Sequence, residues 1–130
     1  MSHALIVDDV RINRLSLAKA IEPFPVAHAA DVSEALESFY RSRPTVILLD
    51  LGLPGVDGLT LLKIIRRQDE RDGGLTPVVV VSGEGTKERV RETAALNVQG
   101  FFVKPVDGAN LREVVRSVWP KTNGEPTPDA

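Results

Sequence analysis

Cysteine is absent from the 130-residue chain, and histidine occurs only twice, at His3 and His28. The first absence excludes a disulfide framework and any thiolate metal site. The second leaves too few imidazoles for a zinc enzyme of the usual kind. An excess of one charge is also missing. Sixteen Lys and Arg stand against eighteen Asp and Glu, for a net charge of −2. Nothing in that balance draws the chain to nucleic acid or to an anionic membrane. No apolar run approaches the ~20 residues that cross a bilayer. The N-terminus lacks the charged start and long apolar middle of a secretion signal. The expectation is one cytoplasmic domain, large enough to bury roughly two thirds of its unfolded surface without covalent staples.

What is present is a series of short apolar runs, at Ala4–Val7, Val26–Ala29 and residues 45–49, 78–81 and 101–103. The first, third and fourth are continuously apolar, as strands covered on both faces must be. The second carries His28, which suits an edge strand. Helical spacing fills the intervals. Val32, Ala35, Leu36, Phe39 and Tyr40 follow the i, i+3, i+4, i+7, i+8 rule, with Asp31 or Ser33 as a cap. Leu111, Val114, Val115 and Val118 repeat it, entered near Asp107 or Asn110, and Trp119 continues the stripe as packing. Leu61, Leu62 and Ile65 form a third stripe, with Lys63, Arg66 and Arg67 expected to face out. Val90 and Ala94 mark a weaker helix whose solvent face carries Lys87, Glu88, Arg91 and Glu92. Residues 12–22 form a further helix, stopped by Pro23, with Arg11, Arg14 and Lys19 as a solvated basic face. Alternating strand and helix predicts a parallel α/β sheet with right-handed crossovers. Residues 120–130 read as a tail or the start of a linker, too short to hold an output module.

The stretch "ALIVDDV" at 4–10 carries a buried strand straight into two adjacent carboxylates, Asp8 and Asp9. The third strand ends at Asp50, the fourth at Ser82 and the fifth at Lys104-Pro105. Ligands of an open parallel sheet bind outside the carboxyl ends of its strands, so these side chains converge on one edge. Two unit charges ~4 Å apart repel by roughly 4 kcal/mol at an effective dielectric of ~20. Three carboxylates therefore call for a cation, and an all-oxygen donor set points to Mg²⁺. A lone lysine opposite them suggests that a second anion arrives. With Mg²⁺ and an aspartate, the natural candidate is a phosphoryl group attached to the carboxylate.

"VDD" at 7–9, "LLDLGLPGVDGL" at 48–59, "VVVVSGEG" at 78–85 and "GFFVKP" at 100–105 together resemble the receiver domains of two-component response regulators, in order and spacing from residue 4 to about residue 119. The resemblance implies a single doubly wound (βα)5 domain over residues 1–119, flavodoxin-like, with strand order 2-1-3-4-5. It implies Asp50 as the phosphorylated residue, with Lys104 and Ser82 assisting the transfer. Asp9 would be the principal Mg²⁺ ligand, joined by Asp8, Asp50 and the carbonyl of Gly52. Ser82 and Phe101 would be the switch pair, and Pro105 would follow a cis peptide bond.

The implied partners are a histidine kinase or histidine phosphotransfer protein and a downstream effector protein or domain, with no direct contact to nucleic acid or membrane. The implied activity is signalling, limited to self-catalysed phosphorylation and dephosphorylation, rather than that of an enzyme. The chain departs from the common pattern at Gly52, where receivers often carry a polar or larger side chain, and at Gly83, where Ala is usual. Gly52 is expected to give water a clear path and so a short-lived phosphorylated state. Two other classes fit less well. A phosphate-independent pseudo-receiver scaffold has no need of the five polar residues. A small aspartyl phosphatase wants a second Asp two positions after its nucleophile, where Gly52 stands.

Overall fold

The computed structural model describes residues 2–121. Strand and helix alternate from β1 (Ala4–Val7), α1 (Arg11–Ala20), β2 (Val26–Ala29) and α2 (Val32–Arg41) through β3 (Val46–Leu49) and α3 (Gly58–Asp72). The chain continues as β4 (Val78–Ser82), α4 (Lys87–Ala94), β5 (Gly100–Val103) and α5 (Gly108–Val118). The strands form one sheet in the order β2-β1-β3-β4-β5, and every neighbouring pair is parallel. This is the doubly wound arrangement expected from the motifs, with His28 on the edge strand. From residue 122 onward, the expected tail lies outside the described residues. Among the described residues no helix is long and apolar enough to cross a membrane.

The continuous apolar runs follow from the pleat. Successive side chains of a strand point to opposite faces. Leu5, Val7, Ile47, Leu49, Val78 and Val80 build a core on one face, joined by Phe39, Leu62 and Ile65 from α2 and α3. Ala4, Ile6, Val46, Leu48, Val79 and Val81 build the other, joined by Leu17 of α1, by Leu111 and Val115 of α5, and by Trp119 just beyond it. Trp119 packs on Phe24 with ring centroids 4.6 Å apart. Four of the five helices start on a polar cap; α1 starts after Val10, which makes no side-chain cap bond. Asp31, Asp57, Thr86 and Asp107 cap α2, α3, α4 and α5, each accepting a backbone N–H of its own first turn. α3 ends on Gly73 at φ 75°, in the left-handed region that glycine tolerates best. α1 closes at Ala20, two residues before Glu22, because a residue ahead of proline is disfavoured in helical geometry.

Two expectations about helix faces are corrected. Arg66 does not face out: it is buried, as is Asp69. The stripe Leu62, Ile65 simply continues through Arg66 and Asp69 at i+4 and i+7. The buried charges survive there because they satisfy one another. Arg66 Nη1 lies 2.9 Å from Asp69 Oδ2. The guanidinium also donates to the carbonyls of Thr76, Leu96 and Asn97. In α4 the inward residues are Arg89 and Thr93, whereas Val90 and Ala94 are exposed. Thr93 is tolerated in the interior because its hydroxyl donates to the Arg89 carbonyl at 2.9 Å.

Candidate functional site

Backbone ladders carry the sheet one residue past its strands and so place the functional side chains. The Asp8 N–H donates to the Ala29 carbonyl at 3.1 Å, the Asp50 N–H to Val7 at 2.9 Å, and the Lys104 N–H to Ser82 at 2.9 Å. The four strand ends therefore deliver their polar residues in register to a single rim. The strand-end residues singled out in the sequence fall on this rim: Asp8, Asp9, Asp50, Ser82 and Lys104 all belong to it.

Lys104 joins the group. Its Nζ lies 2.8 Å from Asp8 Oδ2 and 3.1 Å from Asp50 Oδ2. Burial alone would lower the Lys104 pKa, but hydrogen bonds to Asp8 and Asp50 and the charges of both carboxylates hold it above the ordinary value. The second oxygen of each carboxylate is fixed locally. Asp8 Oδ1 accepts the Val10 N–H at 2.9 Å, and Asp50 Oδ1 accepts the Gly52 N–H at 3.0 Å. Asp8 is fully buried, Asp50 is 8% exposed, and Asp9 stands in solvent. Oxygens of Asp8, Asp9 and Asp50 lie within 4.8 Å of one another. Three negative charges against one positive leave the rim at −2, which is the charge a divalent cation cancels.

The rim opens on a cavity of about 310 Å³ lined by Asp9, Asp50, Gly52, Ser82, Arg89 and Lys104 among others. Ser82 is the last residue of β4 and 2% exposed, and its Oγ accepts the Glu84 N–H at 3.2 Å. Gly52 puts no side chain into the cavity; a Cβ there would meet only Asp50 Oδ1, at 3.7 Å. Phe101 lies on β5 away from the cavity lining, half-buried against the core that α2 and α3 cover. The Lys104-Pro105 peptide bond is cis, and so is Glu22-Pro23.

Three residues at the site carried no legible role in the sequence. Arg14 was read as part of a solvated face, yet its Nη1 donates to the Asp8 carbonyl at 2.7 Å and pins the backbone between the two aspartates. Gly58 opens α3 directly against the loop that holds Asp50. A Cβ there would stand 2.5 Å from the Asp50 carbonyl oxygen and 2.7 Å from Leu51 Cα, so only glycine permits this approach. Arg89 reaches from α4 to Asp57, with Nη2 2.8 Å from Oδ2. Nothing in the "DG" at 57–58 announces that backbone contact.

The sequence model of the response regulator receiver domain matches residues 4–116. The chain belongs to the receiver domain family. Among receiver relatives, it is 30% identical over 118 residues to sporulation initiation phosphotransferase F of Bacillus subtilis, spanning 89% of this chain and 92% of that protein. It is 34% identical over 119 residues to the transcriptional regulatory protein CseB of Streptomyces coelicolor, spanning 90% of this chain but 49% of the regulator. A chain in the crystal structure of the CheX–CheY–BeF3–Mg²⁺ complex of Borrelia burgdorferi superposes with a TM-score of 0.77 at 29% identity, covering 92% of this receiver and 90% of that chain. Receiver domains are the signalling phosphoacceptors of two-component systems, and this chain has their fold and an acidic pocket at the expected rim.

Proposed function

We propose that Asp50 is the phosphoacceptor of a Mg²⁺-dependent phosphorelay step, fed by a phosphohistidine of a histidine kinase or histidine phosphotransfer protein in the cytoplasm. The receiver unit is residues 1–119. One observation carries the reading: a single ammonium, Lys104, bridges two strand-end carboxylates, with the third carboxylate within 4.8 Å. A Coulombically unfavourable cluster of this kind needs a cation to be complete.

The donor set fits Mg²⁺. It is all oxygen, it carries the compensating charge, and its three carboxylates bring oxygens within 4.8 Å of one another, as a single oxygen-bound ion requires. Asp9, Asp8, Asp50 and the Gly52 carbonyl would hold it. When bound, Mg²⁺ offsets the negative charge that phosphoryl oxygens bring to an acidic rim. The use of BeF3 and Mg²⁺ in the Borrelia complex supports the same chemistry here.

In the transfer, an Asp50 carboxylate oxygen forms a bond to phosphorus as the P–N bond to the donor imidazole breaks. The electron pair of that bond returns to the imidazole nitrogen. Lys104 holds a phosphoryl oxygen in place of part of its present contact with Asp50. Ser82 sits on the neighbouring strand end, where its hydroxyl donates to a second phosphoryl oxygen. Drawing Ser82 toward the new dianion loosens its contact with the Glu84 N–H, and Phe101 moves on the same surface. That change in α4, β5 and α5 is what an effector protein or domain reads.

Incubation with acetyl phosphate and Mg²⁺, followed by intact-mass measurement, tests the assignment. A gain of one phosphoryl group in the wild type and none in Asp50→Ala is expected. Equal labelling of both proteins refutes it.

A further inference from the structure

The phosphorylation cavity has one wall that the transfer chemistry leaves unused. Arg89 lines it together with Asp50, Ser82 and Lys104, yet its guanidinium is turned to Asp57, with Nη2 2.8 Å from Oδ2, and more loosely to Glu92 at 3.8 Å. The contact joins two elements. Asp57 caps α3 through its other oxygen, which accepts the Leu59 N–H at 3.0 Å. Arg89 lies in the first turn and a half of α4.

α4 is otherwise loosely held at this end. Thr93 is its one buried residue, and the Thr93 hydroxyl bonds within its own helix. Beyond its far end, the chain is fastened by Arg66, which donates from a buried position to the carbonyls of Leu96 and Asn97. The helix thus has a permanent anchor after its C-terminus and a half-exposed arginine clasp near its N-terminus. The clasp faces the place where a phosphoryl group would sit.

We propose that Arg89 changes partners on phosphorylation, leaving Asp57 for an oxygen of the phosphoryl group on Asp50 and so freeing the N-terminal end of α4. This rests on the reading of Asp50 as the phosphoacceptor. The chemistry favours the exchange. Asp57 is a monoanion with one oxygen already engaged, whereas a phosphoryl group brings about −1.5 to −2 charges and three acceptor oxygens. A guanidinium matches that geometry with two parallel donors. The path is open. Gly52 and Gly83 line the cavity without side chains; nothing would lie within 4 Å of a Cβ at Gly83, and only Asp50 Oδ1 near one at Gly52. Both clasp groups are ionised. Burial would raise the Asp57 carboxyl, but the Leu59 amide and Arg89 hold it below its ordinary value, and hydrogen bonding to Asp57 holds Arg89 above its own.

Beryllofluoride with excess Mg²⁺ serves as the phosphoryl mimic, its dissociation constant read by ¹⁹F NMR. Arg89→Ala should weaken uptake by about fivefold, and Arg89→Lys should recover part of the loss, the scale of one partly exposed ion pair. Asp57→Asn keeps a competent helix cap but releases the arginine, and should tighten uptake by two- to fivefold, again on the order of one such pair. The double variant should match Arg89→Ala, because the gain needs the arginine. An ion pair that is only structural moves both single variants in the same direction. That outcome, or a gain from Asp57→Asn that survives without Arg89, overturns the proposal. Wild-type protein that takes up no beryllofluoride overturns the phosphoacceptor reading beneath it instead.

Discussion

Asp50→Asn keeps the shape of the acidic rim and removes one of its charges, so it measures how much strain the rim stores. Asp8 and Asp9 each lie within 4.8 Å of Asp50 by their nearest oxygens. At that distance and an effective dielectric of ~20, each repulsion amounts to about 3.5 kcal/mol. Lys104, 3.1 Å away, returns about 5 kcal/mol on the same scale. The balance is unfavourable by about 2 kcal/mol, and solvent around exposed Asp9 reduces it to about 1 kcal/mol. In EDTA the Asn variant should therefore be more stable than wild type by about 1 kcal/mol, or about 3–5 °C in Tm for a chain of this size. Mg²⁺ should then reverse the order. At ten times its Kd, a ligand of the native state adds about 1.4 kcal/mol, and the variant, short of one carboxylate, gains less. Urea denaturation in EDTA and in a Mg²⁺ series reads both terms. A variant less stable than wild type in EDTA, with equal Mg²⁺ shifts in the two proteins, would refute the account of the rim as a strained cation cradle.

Ser82→Ala should still be labelled at Asp50 by acetyl phosphate but should lose the conformational response of α4 and β5, read as chemical-shift changes; loss of labelling itself would contradict that division of roles. Gly58→Ala forces a Cβ to within 2.5 Å of the Asp50 carbonyl oxygen, and should cost about 2–3 kcal/mol of stability by overpacking against backbone and slow labelling as Asp50 shifts. An unchanged denaturation midpoint would count against the close approach. Gly52→Met should lengthen the life of the phosphorylated protein by covering Asp50, and a faster decay by intact mass would oppose this. For pH, the folded-state pKa of Asp57 lies below its ordinary 3.8. The unfolded chain then binds the proton first, so this contribution is present above that value and lost as pH falls through the lower folded value. Wild type should lose more stability than Asp57→Asn between about pH 4.5 and pH 3, and parallel curves would exclude the clasp as a source of acid sensitivity.

Much of the site was legible because the residues that make it are tied to strand ends. A strand covered on both faces shows itself as an unbroken apolar run, and the polar residue that ends such a run must leave the sheet at its carboxyl edge. Asp8, Asp50, Ser82 and Lys104 are therefore grouped by the sequence alone. The helix caps at Asp31 and Asp107 were legible for a similar local reason, since each satisfies N–H groups only two or three residues away.

The helix faces were less legible. Arg66 and Asp69 occupy the inward stripe of α3, where composition argues for solvent, and they are stable there only because Thr76, Leu96 and Asn97 arrive from distant parts of the chain with matching groups. The Val90 and Ala94 stripe of α4 pointed the wrong way because a short helix with two apolar residues has little to choose its face by, and the pull of Asp57 on Arg89 helps decide it. Gly58 and Arg14 are understood through contacts with the backbone of Asp50 and Asp8, and backbone contacts leave no pattern in side-chain identity. Local periodicity and the rule that sheets bind at their carboxyl edge were thus enough for the layers, the strand ends and the acidic rim. Pairings between residues far apart in the chain, which depend on what the fold brings within hydrogen-bond reach, chose the buried arginine, the facing of α4 and the clasp beside the acidic cavity.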